Sequence, residues 1–126
     1  MSKATEMVLY RTCKRMIERG STDGLAEKID IFYAAGKLTD EHYAELTGML
    51  RLERMLNECD SLDREIIDCL LREESYDNIS ENCFVTISTI KYRVKKMIGL
   101  AEAADRRGLI RLLREYLPQA DKNGNG

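Results

Sequence analysis

From Thr5 to Leu117 the apolar residues return at intervals of three and four, and each run is bounded by residues that start or stop helices. This rhythm is the strongest constraint on the fold. Spacing of three to four lays side chains along one face of an α-helix, whereas a strand needs alternation at every second residue. The one stretch with strand-like content, "FVTISTI" at 84–90, falls between a helix end and a helix start. The chain is therefore expected to be all-α.

The first helix is expected over about Thr5 to Glu18, with Leu9, Cys13, Met16 and Ile17 on one face. Gly20 ends it, and "STDG" opens the next, with Asp23 or a neighbouring hydroxyl as N-cap. The second helix, about Gly24 to Ala35, is expected to bury Leu25, Ile29 and Phe32, with Tyr33 at the edge. Gly36 then sits where a left-handed C-terminal glycine belongs. "KLTDEHY" starts the third: Thr39 caps it, Asp40 and Glu41 meet the positive end of the helix dipole, and Leu38 and Tyr43 form a hydrophobic staple. This helix runs to about Asn57 and buries Leu46, Met49, Leu50 and Leu56, leaving Arg51, Glu53, Arg54 and Glu58 as a solvated rim.

In the second half, Asp60 caps a fourth helix, with Asp63 completing a capping box and Ile66, Ile67, Leu70 and Leu71 recurring inward. A polar turn, "REES", precedes a short helix, "YDNISENCF", with Ile79 and Cys83 inward. Three residues, "VTI", lead to Ser88 as N-cap of a helix reaching about Leu100. A last helix, about Asp105 to Leu117, buries Leu109, Leu112, Leu113 and Tyr116. Pro118 marks its end, and "QADKNGNG" is expected to be disordered.

At 126 residues and 44% apolar content, the chain holds one domain or two very small ones. No apolar run is long enough to span a bilayer, and "MSKATEM" lacks the apolar block of a signal peptide. A cytoplasmic protein with no membrane partner is expected. Cys13, Cys59, Cys69 and Cys83 form no C-x-x-C pair, and His42 is the only histidine. These are the residues of buried, reduced thiols, not of a zinc site. No nucleophile, glycine-rich phosphate loop or paired buried carboxylates accompany His42, which reads as a surface residue beside Asp40 and Glu41. Glu73 and Glu74 read as solvated, and Tyr10, Tyr33 and Tyr43 as core or rim aromatics. Neither enzymatic activity nor any cofactor or metal is expected.

Charge is unevenly spread. Residues 58–87 carry nine acidic side chains against two basic, a net of −7, whereas residues 88–126 carry nine basic against four acidic, a net of +5. Within the latter, "FVTISTIKYRVKKM" concentrates Lys91, Arg93, Lys95 and Lys96. On a helical wheel of about 100° per residue, Ile90, Val94, Met97 and Ile98 face the core. Tyr92 lies opposite, surrounded by Ser88, Lys95 and Lys96, with Thr89 and Lys91 on the flanks. A short helix, a tight turn and a helix with such a face make a helix-turn-helix, whose second helix enters the major groove of double-stranded DNA. Lysines suit guanine acceptors or phosphates, and hydroxyls suit phosphate oxygens.

"DREII" at 63–67, "SYDNISENCFVTISTIKYRV" at 75–94 and "ADRRGL" at 104–109 align without gaps to a family pattern. Residues 60–113 resemble the DNA-binding domain of LuxR/GerE-type regulators. Lys91 falls on the lysine of the family's "TVK" element and Arg106 on the arginine of its "NR" element. The resemblance implies DNA contacts from Lys91, Tyr92 and Lys95, and the exposed helix face adds Ser88, Thr89 and Lys96 on phosphates. Arg106 and Arg107 would lie near the DNA backbone or hold the last helix in place. The family's turn glycine is Glu73 here, the small residue after the first motif isoleucine is Ser80, and "LG" becomes Ala101-Glu102, which predicts a more helical connection. "SYDNIS" is also similar to the promoter-reading domain of sigma factors, but "DRRGL" favours the LuxR type.

Residues 1–57 are too few for the receiver or ligand-sensing domain that usually accompanies this family. They resemble short helical proteins encoded in phages and prophages of Gram-positive bacteria. The expected architecture is an N-terminal three-helix module for dimerisation or partner binding (1–57), then a four-helix LuxR-type helix-turn-helix bundle (58–117), then a tail (118–126). The expected function is DNA-binding transcriptional regulation, as a homodimer because one small half-site reader makes few base contacts. The alternative is a phage-type interaction module that uses the same fold without DNA, on RNA polymerase or another host protein.

Overall fold

The computed structural model describes residues 3–117. Pro118 as a stop and the expected disorder of "QADKNGNG" lie outside the described residues. Seven helices follow in order: α1 (Lys3–Glu18), α2 (Leu25–Ala34), α3 (Asp40–Asn57), α4 (Ser61–Leu71), α5 (Tyr76–Cys83), α6 (Ile87–Leu100) and α7 (Arg106–Tyr116). The fold is all-α. No strand forms among the described residues, and "FVTISTI" divides between the α5–α6 turn and the first turn of α6.

Local chemistry explains most boundaries. Thr39 accepts the His42 N–H at 3.0 Å, Ser75 the Asn78 N–H at 3.2 Å, and Asp105 the Gly108 N–H at 2.8 Å. Each is a side-chain oxygen satisfying a backbone donor that the first helical turn leaves unpaired. Two caps differ from expectation. At α2 the capping position is Gly24, with φ 68° and no side-chain bond, because only glycine adopts that left-handed geometry without strain. At α6 the cap is Thr86, not Ser88: its hydroxyl accepts the Thr89 N–H at 3.2 Å, and Ser88 lies inside the first turn.

Several helix ends share one closure. After α1 and α2, Gly20 and Gly36 take positive φ, and the following N–H reaches back five residues, Ser21 to Met16 at 2.8 Å and Lys37 to Phe32 at 2.8 Å. After α4 and α6 the same closure is made on Glu73 (φ 58°) and Glu102 (φ 55°), with Glu74 bonded to Cys69 at 3.1 Å and Ala103 to Ile98 at 3.0 Å. The connection after α6 is thus not more helical, as expected from Ala101-Glu102, but a left-handed stop.

The apolar residues form two cores. One gathers Cys13, Ile17, Leu25, Ile29 and Leu38 with Leu46 and Leu50 of α3. The other gathers the inner faces of α4 to α7 with Leu52 and Met55 of α3. Leu52 and Met55 were not among the residues expected inside, whereas Met49 and Leu56, which were, are only partly buried. The reason is that α3 is buried on two faces, and a single-stripe reading selects one. The shared helix ends at Asn57, where the sequence divides the chain. The expected solvated rim is also less open: Arg51 and Glu53 are half-buried, and Arg54 pairs with Glu102 at 3.2 Å.

Gly48 shows how closely α7 seats on α3. A Cβ there would stand 2.6 Å from the Tyr116 ring. Gly48→Ala should therefore destabilise the chain although alanine is the better helix former. In a Tyr116→Ala background the same change should stabilise by about 1 kcal/mol, the intrinsic helix preference. Urea denaturation of the four variants checks this; equal effects of Gly48→Ala in both backgrounds would contradict the contact.

Candidate nucleic-acid interface

The α5–α6 unit is built from a short helix, a three-residue turn and a longer helix. Phe84 (φ 59°) reverses the chain, and Val85 N–H reaches back to the Ser80 carbonyl at 3.2 Å. The Ser80 hydroxyl in turn donates to the Val85 carbonyl and so ties the turn to α5. The turn is Phe84-Val85-Thr86, one residue earlier than the expected "VTI". Ile79 and Cys83 of α5 meet Ile90, Val94 and Met97 of α6 in the core.

That packing sets which side of α6 faces outward. Ser88, Lys91, Tyr92, Lys95 and Lys96 are all exposed, Tyr92 by 65%. None of the three lysines forms a salt bridge among the described residues. No acidic residue occupies the first turn of α6, so its N-terminal dipole is uncompensated. Thr89 is half-buried, and its hydroxyl lies 3.0 Å from that of Thr86.

Two basic residues do other work. Arg93 turns from the exposed face to the start of α4, 2.8 Å from an Asp60 oxygen and 3.2 Å from an Asp63 oxygen. Both aspartates belong to the capping box, with Asp63 N–H on Asp60 at 2.9 Å and Asp60 N–H on Asp63 at 3.2 Å. Arg106 donates to the Glu74 carbonyl at 2.6 Å and lies 4.6 Å from the Tyr76 ring centre. It pins α7 to the α4–α5 corner. Arg114 holds the same corner through the Leu71 carbonyl and Glu73, both at 3.0 Å.

Sequence reasoning missed Phe84. Its side chain is 92% exposed on a left-handed backbone, two unfavourable features in one residue. Ile87, three residues further on, is also exposed. An apolar residue just past the inward Ile79 and Cys83 was the only available signal. His42, expected at the surface, is half-buried and stacked on Tyr10 at 3.9 Å, with Nδ1 buried and unpartnered. Glu74, expected to be solvated, is half-buried and bound to Arg72 and Asn82, both at 2.6 Å. All four cysteines are free, and burial pushes the Cys83 thiol up to about 11. Among the described residues no group of three or more histidine, cysteine or acidic side chains converges on a metal-sized site. Nor is any described helix long and apolar enough to cross a membrane. Compared with protein-family models, curated proteins and solved structures, the chain matches none.

Two outcomes follow from this geometry. The Arg93 guanidinium, helped by the Asp63 N–H, holds the Asp60 carboxyl at about 2, below its ordinary 3.8. A depressed carboxyl stabilises the fold fully above its unfolded value and loses that contribution as pH falls through the folded one. Thermal unfolding should therefore show stability lost between about pH 4 and about pH 2, and Asp60→Asn should flatten that portion of the curve. Phe84→Gly should raise stability by about 1 kcal/mol in urea denaturation, because glycine removes left-handed strain and no packed side chain is lost. A drop in stability would mean that Phe84 packs in solution.

Proposed function

We propose that this chain binds double-stranded DNA through the outer face of α6 and regulates transcription, without catalysis or cofactor. The observation that carries the reading is the division of the basic residues: Lys91, Lys95 and Lys96 stand exposed and unpaired around Tyr92, while Arg93 is committed to the fold. Lys91, Tyr92 and Lys95 would meet the major groove, and Ser88, Lys96 and the open helix N-terminus the phosphates. Thr89 would act through its backbone and cap, and Arg106 by positioning α7.

The LuxR/GerE-type resemblance supports the same reading. Glu73 and Glu102 take left-handed backbone in the two connections where that family carries glycine. A functional unit would be a homodimer in the cytoplasm, since one copy offers few base contacts. The exposure of Phe84 and Ile87 beside the lysines favours a second reading, in which this face meets a protein such as RNA polymerase.

Fluorescence anisotropy against random-sequence duplex DNA, across a salt series, tests the first reading. Binding should weaken steeply with salt, and Lys91→Ala and Lys95→Ala should each reduce the log–log slope by about one unit. No binding by the native chain at low salt, or unchanged affinity in the double variant, would overturn it.

A further inference from the structure

A groove of about 800 Å³ opens where α1, α3 and the end of α7 meet. It includes no residue of α6. Its base is apolar, with Ile17 and Leu52 deep and Met49, Leu56 and Leu117 only partly covered. Its rim is acidic: Glu18, Glu41, Glu45, Glu53 and Glu115 stand against a single cation, Lys14. Lys14 is already used by Glu45, 3.4 Å away, which also accepts the Tyr10 hydroxyl at 2.6 Å. The other four glutamates form no salt bridge among the described residues.

Two of the four sit where a negative charge is unfavourable by itself. Glu18 is the last residue of α1 and Glu115 the next to last of α7, so both carboxylates meet the negative end of a helix dipole. An apolar trough with carboxylates in excess of cations along its edge is complementary to one kind of surface, an apolar stripe flanked by cations. It is the wrong sign for nucleic acid.

We propose that this groove docks a cationic amphipathic α-helix of a partner protein. The apolar stripe of the partner lies on Met49, Leu56 and Leu117, and its lysines or arginines meet Glu18, Glu53 and Glu115. A second copy of this chain does not supply such a helix. The apolar stripes of its cationic helices α1, α6 and α7 are spent on its own cores, through Cys13 and Ile17, Ile90 and Val94, and Leu109 and Leu113. The proposal is independent of the DNA reading, which concerns another surface.

The test uses the full chain and two labelled peptides of about 18 residues, long enough to form a helix on docking. Both carry leucines at helical spacing; one fills the other positions with lysine, the other with glutamate. Anisotropy should show binding of the lysine peptide alone. Amide shifts in a ¹⁵N spectrum should cluster on α1, α3 and the end of α7. The triple variant Glu18→Gln, Glu53→Gln, Glu115→Gln changes only rim side chains and should weaken binding by about tenfold. Equal binding of both peptides, unchanged affinity in the triple variant, or shifts confined to the acidic stretch 58–87 would each overturn the proposal. So would a concentration-dependent dimer of the chain whose shifts fall on the groove, because the occupant would then be a second copy.

Discussion

The contact on which the C-terminal bundle turns is the reach of Arg93 from α6 to the two aspartates that begin α4. Among the described residues Asp63 is the one buried charged side chain. A buried carboxylate without partners is strongly destabilising, and this one has both oxygens occupied, by the Asp60 N–H and by Arg93. The apolar seam of Ile90, Val94 and Met97 attracts α6 to the core but is non-directional. A charge-assisted pair of fixed geometry is directional. It fastens α6 to the start of α4 and reinforces the orientation that the buried stripe of α6 sets, with Lys91, Tyr92 and Lys95 outward. A helix cap and a candidate binding face are thus parts of one electrostatic unit.

The second organising element is α3. Its N-terminal half completes the core of α1 and α2, and its C-terminal half completes the core of α4 to α7. Tyr116 lies against Gly48, and Arg54 reaches Glu102 beyond the end of α6. The N-terminal helices are therefore joined to the bundle through one continuous helix. A partner bound on either side would act on a shared helix. The acidic groove lies at that junction, bordered by the end of α1 and the end of α7.

Much of this was legible beforehand where the physics is local. The caps at Thr39 and Asp60, the stops at Gly20 and Gly36, and the inward stripes of α1, α4 and α7 depend on residues within one turn of each other. The outward face of α6 was legible for the same reason, since a wheel needs only the periodicity of one helix. Where reading failed, the cause was distant. Leu52 and Met55 are buried by helices far along the chain. His42 was read from its neighbours Asp40 and Glu41, but Tyr10 decides its burial. Phe84, Glu73 and Glu102 take a backbone conformation that glycine would announce and that these side chains conceal.

By itself, then, the sequence determined an all-α chain, its helix starts to within a residue or two, and a basic stripe on one of those helices. Each follows from side-chain spacing and from hydrogen bonds made within a few residues. Tertiary structure alone decided which basic residues of that stripe remain unpaired, that one helix serves two cores, and that an acid-rimmed groove forms between α1, α3 and α7. Those outcomes depend on which surfaces meet across tens of residues, and no local periodicity carries that information.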